Sequence, residues 1–318
     1  MNYSYYLPEG SLRYTKDNLA HTTTLAGLES AAREDKILEA TAIMCDSEFN
    51  LHVDLGSVEG FMPREECVLT QEGESIKDIA IITRVGKPVC FKVLSIDTKN
   101  GTPRAILSRR AAQIECRNYY LSTLSAGDII PATVTHLDTF GAFLDIGCGI
   151  SSLLSIDCIS VSRISHPSDR LTVGQKLKVV VRSNDAETGR IYVTLKELLG
   201  TWAENAVVFC AGQTIPGIVR SIESYGVFVE LAPNLAGLAE LREDYDFSGY
   251  ISVGDRVSVY IKSIIPDKMK IKLVIIDSTL EKGAPTPLNY FIDEDDEHIS
   301  EWLYSPPNCI KTIKSVFE

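Results

Sequence analysis

The sequence is poor in histidine and tryptophan, with five and two among 318 residues, and it has no excess of positive charge. The histidines, His21, His52, His136, His166 and His298, stand apart without the spacing of a metal site. There is no GxxxxGK[ST] phosphate loop, GxSxG elbow or HExxH pair. No catalytic residues, metal or other cofactor, and no small-molecule substrate, are therefore expected. The eight cysteines, Cys45, Cys67, Cys90, Cys116, Cys148, Cys158, Cys210 and Cys309, form no CxxC pair, which argues against a zinc knuckle or a disulfide framework. They read as small buried hydrophobes or free thiols. No apolar stretch approaches the ~18 residues that would span a bilayer, and the polar start MNYSYYLPEG lacks the basic and apolar regions of a signal peptide. The expectation is a cytoplasmic protein without a membrane partner. A net charge of −12 argues against indiscriminate coating of nucleic acid, which needs a broad basic surface.

What is present is enough apolar material, 45% of residues, to fill several cores. Residues 278–318 carry three basic and eight acidic residues, but 125–200 carry seven and eight, so the middle of the chain can still offer a local basic groove. An internal repeat then fixes the architecture. GDIIPATVTHLDTFGAFLD (127–145) aligns without a gap to GQTIPGIVRSIESYGVFVE (212–230) at an offset of 85. A weaker copy, ILEATAIMCDSEFNLHVDLG (37–56), aligns with one residue added in the turn before Phe49. Second halves follow from Gly86, Gly174 and Gly254.

Within each copy β-branched and aromatic residues alternate, as in Ile191, Val193 and Leu195, and glycine-containing turns punctuate them. About five short strands per copy in roughly 75 residues fit a small antiparallel barrel, of which the OB-fold is the commonest. The expected fold is mainly β: three tandem five-stranded OB-fold barrels joined by short helical linkers. The domains are a helical segment over 1–35, a divergent first repeat over 36–112, a linker helix over 113–124, a second repeat over 125–200, a helical linker over 201–209, a third repeat over 210–278 and an acidic segment over 279–318. Leu25, Leu28 and Ala32 share one face of the first helical segment. In the first linker Ala112, Cys116, Tyr120 and Leu124 form an apolar stripe. Thr201-Trp202-Ala203-Glu204 reads as a capping box. Near the end, DEDDE (293–297) reads most simply as a solvated loop, or more sharply as an anionic mimic that competes for a basic groove. IKTIKSVFE reads as a strand, with Trp302 and Tyr304 covering part of the third barrel.

FGAFLDIG, HPSDRLTVGQKLKVVV and GRIYVTLKELLGTW, followed by SYGVFVELAPNLAGL, resemble the RNA-binding repeat of the bacterial small-subunit ribosomal protein S-one family, over roughly residues 36–280. The resemblance implies OB-type barrels, single-stranded RNA as ligand, and a role in bringing messenger RNA to the small subunit, with first repeats docking on the ribosome and later ones holding RNA. It implies a binding face of two aromatics, a His after the third strand, and an Asp and an Arg on the later hairpin. The second copy supplies Phe140, Phe143, Asp185 and Arg190, with Ser155 at the His position. The third supplies Tyr225, Phe228 and Lys270, with Glu240 there. The first has Phe49, His52 and Arg104, with Pro63 there. The second copy therefore ranks first as an RNA binder, and the first copy as a docking module.

The chemistry fits that ligand, because every base has a flat π-face and each stacked base is worth about 1–3 kcal/mol. Gly141, between the two phenylalanines, would let RNA approach closely. Lys176, Lys178 and Arg182 are expected to share one side of a strand and add positive charge, while Arg190 and Lys270 contact phosphates or base planes. Each residue also has a plainer reading: core for the aromatics, a solvated strand end for Arg190, a turn for Asp185, and an ordinary strand residue for His52. Two other functions share the fold. One is a protein-interaction scaffold with little RNA affinity, and the other an accessory subunit of an RNA-processing assembly.

Overall fold

The computed structural model describes residues 6–70, 73–98, 101–240, 251–283 and 287–317. The first five residues of MNYSYYLPEG and residues 241–250 of the third repeat lie outside that description, as do short pieces of the first-repeat and C-terminal segments.

Two short helices, α1 (Lys16–Thr22) and α2 (Leu25–Arg33), open the described chain. Both have threonine caps, with Thr15 and Thr24 accepting hydrogen bonds from Asn18 N–H and Gly27 N–H. Leu28 and Ala31 bury the inner face of α2 against the first barrel. That barrel comprises β1 (Leu38–Cys45), β2 (Leu51–Leu55), β3 (Val58–Met62), β4 (Pro88–Asp97) and β5 (Arg104–Ser108), with the short helix α3 (Asp78–Ile82) before β4. The linker helix α4 (Arg109–Thr123) starts directly at the end of β5, capped by Ser108. The second barrel follows as β6 (Ile129–Asp138), β7 (Gly141–Asp145), β8 (Ser151–Ser155), β9 (Lys176–Asp185) and β10 (Arg190–Thr194). Helix α5 (Trp202–Ala206) carries the full capping box of Thr201 and Glu204. The third barrel is β11 (Thr214–Glu223), β12 (Gly226–Ala232), β13 (Leu235–Glu240), β14 (Asp255–Ile265) and β15 (Lys270–Lys282), and a small hairpin, β16 (Glu301–Leu303) and β17 (Lys314–Val316), comes last.

Each barrel closes with the same strand order, first–second–third–fifth–fourth, with fourth and first paired. The fifth strand runs parallel to the third. Along β7, Ala142 and Leu144 point into an apolar interior with Leu154 and Val193, the period-two alternation of a strand with one buried face. The first strand of every barrel bulges at matching places, between Ala42 and Met44, Val134 and His136, and Val219 and Ser221. Such bulges sharpen the bend that closes a small barrel.

The barrels are tied by buried polar contacts as well as by linkers. On α4, Ala112, Cys116, Tyr120 and Leu124 join the second barrel's core. The Asn184 amide of β9 donates to the carbonyls of Tyr120, Leu121 and Leu124, satisfying the end of that helix. Glu9 bridges the first two barrels, accepting from the Arg109 guanidinium and from Cys90 N–H. Burial raises the Glu9 pKa, but the charge and hydrogen bonds of Arg109 outweigh it and hold the carboxyl below its usual range. All eight cysteines are free thiols, and five of them are buried.

The acidic end of the chain turns back from the third barrel onto the second. Tyr290, Ile292, Ile299 and Phe317 pack on Ile129, Val180 and Leu198, Phe291 N–H donates to Leu198 O, and Ile129 N–H to Glu297 O. Residues 293–297 are exposed, and the main-chain carbonyls of Glu294 and Glu297 accept from the Lys178 ammonium and Ile129 N–H. Trp302 and Tyr304 join the third barrel's core, and the Tyr304 hydroxyl donates to Asn234 O. Among the described residues no helix is long and apolar enough to cross a membrane.

Candidate nucleic-acid interface

The alternation that sends Ala142 and Leu144 inward sends Phe143 outward. In the strand register His136, Phe143, Leu153, Tyr192 and Ser183 are successive cross-strand partners, so they form one row, one residue from each of the five strands of the barrel. Phe143 is half-buried in that row, and the His136 ring stacks on one flank at 6.1 Å with 29° between planes. Phe140, in the turn before β7, is 50% exposed and meets Phe143 edge to face at 5.9 Å. The two rings thus present perpendicular surfaces to solvent, and a base laid on one contacts the edge of the other.

Gly141 lies between them, but the space it leaves points elsewhere. A Cβ there would stand 2.5 Å from Leu154 O and 3.0 Å from Ser155 Cα. The residue is glycine because β8 passes close behind it, rather than to admit RNA. Gly226 repeats the constraint against Ala239 O at 2.6 Å.

Arg190 opens β10 two residues before Tyr192 on the same outward face, exposed and directly opposite Asp185. Asp185 accepts from Thr188 Oγ1 and from the backbone N–H groups of Glu187 and Thr188. The Thr188 bonds foremost hold its carboxylate below the usual range, and the residue shapes the β9–β10 turn beside Arg190.

The three other cations of β9 do not share one face. Lys176 and Lys178 pair with Thr133 and Pro131 on the opposite half of the strand, and a bulge between Val181 and Ser183 puts Arg182 out of phase with them. Lys178 is also engaged: its N–H donates to the Tyr290 hydroxyl and its ammonium to Glu294 O, both at 3.0 Å. Arg182 lies with its guanidinium 3.3 Å from Cys158 Sγ. The common groove expected from their alternation is thus not formed.

The third barrel repeats the row as Ser221, Phe228, Leu238, Lys272 and Ser263. Tyr225 is 59% exposed and perpendicular to Phe228 at 6.2 Å. Lys270 opens β15 where Arg190 opens β10, and Glu240 is held by Lys272 at 2.9 Å, so the carboxylate at that edge is neutralised. In the first barrel the row is Met44, His52, Phe61, Ile106 and Ser95. There Phe49 takes a left-handed turn conformation, φ 64°, with the Arg64 guanidinium 4.9 Å over its ring. His52 sits between Asp46 and Glu59, and Arg104 covers Phe61 at 4.0 Å while bonding Glu59. Carboxylates and covering cations leave this face the least open of the three.

Sequence reasoning missed His136 and Tyr192 in the second row and Phe61 in the first. For Tyr192 a signal existed, since Arg190 and Tyr192 alternate in RIYVT; His136 required the bulge in β6, which sequence does not display.

Residues 123–196 match the family model of the S1 RNA binding domain. Over 305 residues the chain is 30% identical to the small ribosomal subunit protein bS1 of Staphylococcus epidermidis, covering 91% of this chain and 74% of that protein. It is 33% identical over 233 residues to bS1 of Leuconostoc lactis, covering 70% of this chain and 52% of the relative, and it spans 42% of bS1 from Rickettsia conorii. Among solved structures, a multidomain protein with nucleic acid binding domains from Streptococcus pneumoniae overlaps 76% of this chain and 74% of its own, at 16% identity and a TM-score of 0.24. With its matched domain and its relatives at this identity and coverage, the chain belongs to the bS1 family of small ribosomal subunit proteins.

Proposed function

We propose that this chain binds single-stranded RNA, without catalysis, on the outer row of its second barrel, and that it does so in the cytoplasm at the small ribosomal subunit during translation. The observation that carries the reading is the pair Phe140 and Phe143, turned outward and perpendicular, with His136 and Tyr192 extending the row and Arg190 at its edge. Stacking surfaces with a cation alongside are what a protein needs to hold bases of any sequence. The third barrel is a second RNA site, on Tyr225, Phe228 and Lys270. The first barrel, with His52 between Asp46 and Glu59 and with Arg64 and Arg104 over Phe49 and Phe61, acts in docking to small-subunit proteins. The bS1 relatives support the ribosomal setting.

The test is fluorescence anisotropy with a labelled single-stranded oligoribonucleotide. Phe140→Ala with Phe143→Ala is expected to weaken binding at least tenfold, two stacks of about 1–3 kcal/mol each being lost, with circular dichroism unchanged. Equal affinity of variant and wild type would remove RNA from this pair of rings, and a wild-type chain without measurable affinity would favour the protein-interaction scaffold instead.

A further inference from the structure

The third barrel's aromatic face is not open like that of the second. It forms one wall of a groove of about 520 Å³, within the roughly 300–1,000 Å³ range of clefts that hold small organic ligands. The second wall is the loop after β8 of the second barrel, which contributes Arg163, and the third is the C-terminal hairpin, which contributes Lys311. Lys268 and Lys270, at the turn into β15, complete the rim. Trp202 and Tyr304, both buried, form the back. Arg163, Lys268, Lys270 and Lys311 are all exposed, and among the described residues none of them is in an ion pair. Glu223 is the carboxylate among the lining groups, and the lining Arg220 is neutralised by Glu230 and Asp169.

We propose that this groove is a nucleotide-binding cleft for single-stranded RNA, in which a base stacks on Tyr225 and Phe228 while Arg163 of the second barrel and Lys311 of the hairpin take the flanking phosphates. The proposal rests on the reading of the chain as an RNA binder and adds two walls that the third barrel does not itself supply. Aromatic rings and unpaired cations facing one cleft match the alternating chemistry of a nucleotide chain, flat base and anionic linker. The cleft has this form only while the second barrel, the third barrel and the hairpin keep their mutual positions. The buried triad of Arg170, Glu230 and Arg220 across the joint and the bond from Trp202 N–H to Tyr304 O hold them there.

The test uses the full chain with Phe140→Ala and Phe143→Ala, so that the remaining anisotropy signal reports the third barrel. Adding Arg163→Ala and Lys311→Ala, both surface changes outside the third barrel, is expected to weaken the remaining oligoribonucleotide binding at least fivefold. The slope of log affinity against log salt should become shallower by about 1.4, the value for two phosphate contacts on a single strand. Lys176→Ala in the same background, a cation on another wall, should change neither. Unchanged affinity and slope in the Arg163→Ala, Lys311→Ala chain would overturn the proposal. So would complete displacement of the oligonucleotide by millimolar uridine monophosphate, which would mark a free-nucleotide site. If the phenylalanine changes alone leave binding intact while the groove changes abolish it, the second-barrel reading fails and this one stands; a wild-type chain that binds no RNA removes both.

Discussion

Glu230 of the third barrel accepts hydrogen bonds from Arg170 of the second barrel and Arg220 of its own, both at 2.5 Å, with both Arg170 and Glu230 fully buried. Burial holds the Arg170 pKa below its ordinary value, and the Glu230 charge offsets only part of that. Removing one member of such a set leaves an uncompensated buried charge, which costs about 3–5 kcal/mol. Glu230→Ala is therefore expected to raise hydrogen exchange on both sides of the joint, at 159–171 and 214–235, while the first barrel keeps its protection. Exchange confined to the third barrel would show that the triad does not couple the two.

The C-terminal segment gives a second expectation. Trp302 and Tyr304 lie in the third barrel's core although they come after its last strand, so Trp302→Ala should destabilise that barrel by about 3–5 kcal/mol, the usual cost of emptying a buried aromatic site. Urea unfolding followed by hydrogen exchange in β11–β15 measures it. A loss below about 1 kcal/mol would mean that the hairpin only rests on the barrel.

The cations of the second barrel should separate by position. Arg190→Ala is expected to weaken RNA binding severalfold and to make the salt slope shallower by about 0.7, one phosphate contact. Lys178→Ala should leave both nearly unchanged, since its ammonium is turned to Glu294 O. Equal effects from the two, read by anisotropy at two salt concentrations, would place RNA on the β6–β9 wall instead.

Asp145 carries a pH dependence. It accepts hydrogen bonds from the N–H groups of Glu9, Gly147 and Gly149, yet burial, and then the adjacent Glu9 charge, push it up to about 7. An unfolded aspartate titrates near ~3.9, so between these values the folded chain holds the extra proton. Its contribution to stability is full in acid and is lost as pH rises through about 7. The wild-type Tm should consequently fall more between about pH 5 and about pH 8 than that of Asp145→Asn, which has no such proton to lose. Parallel profiles would contradict the assignment.

The fold was legible because the repeat is local and ordered. The match of 127–145 to 212–230 and the weaker copy at 37–56, with alternating apolar residues and glycine turns, already imply three like barrels, and the closed strand order repeats in each. The outward aromatics were legible for the same reason, since Phe140 and Tyr225 hold equivalent turn positions. What sequence concealed was set by single-residue phase and by distant chain. A bulge at Arg182 separates it from Lys176 and Lys178, and a bulge in β6 brings His136 to Phe143. The pairing of β8 behind Gly141 explains that glycine better than a ligand does. The occupation of Lys178 by residues more than a hundred positions onward, and the cleft walled by Arg163 and Lys311, depend on how the end of the chain returns, for which no local pattern exists.

The most direct measurement is photo-crosslinking of the wild-type chain to a single-stranded oligoribonucleotide containing 4-thiouridine, with the modified residues identified by mass spectrometry. Adducts are expected to concentrate at Phe140, Phe143, His136 and Tyr192 of the second barrel, with a further set at Tyr225 and Phe228. Crosslinks confined to the first barrel or to the β6–β9 wall, with none on those rings, would contradict it.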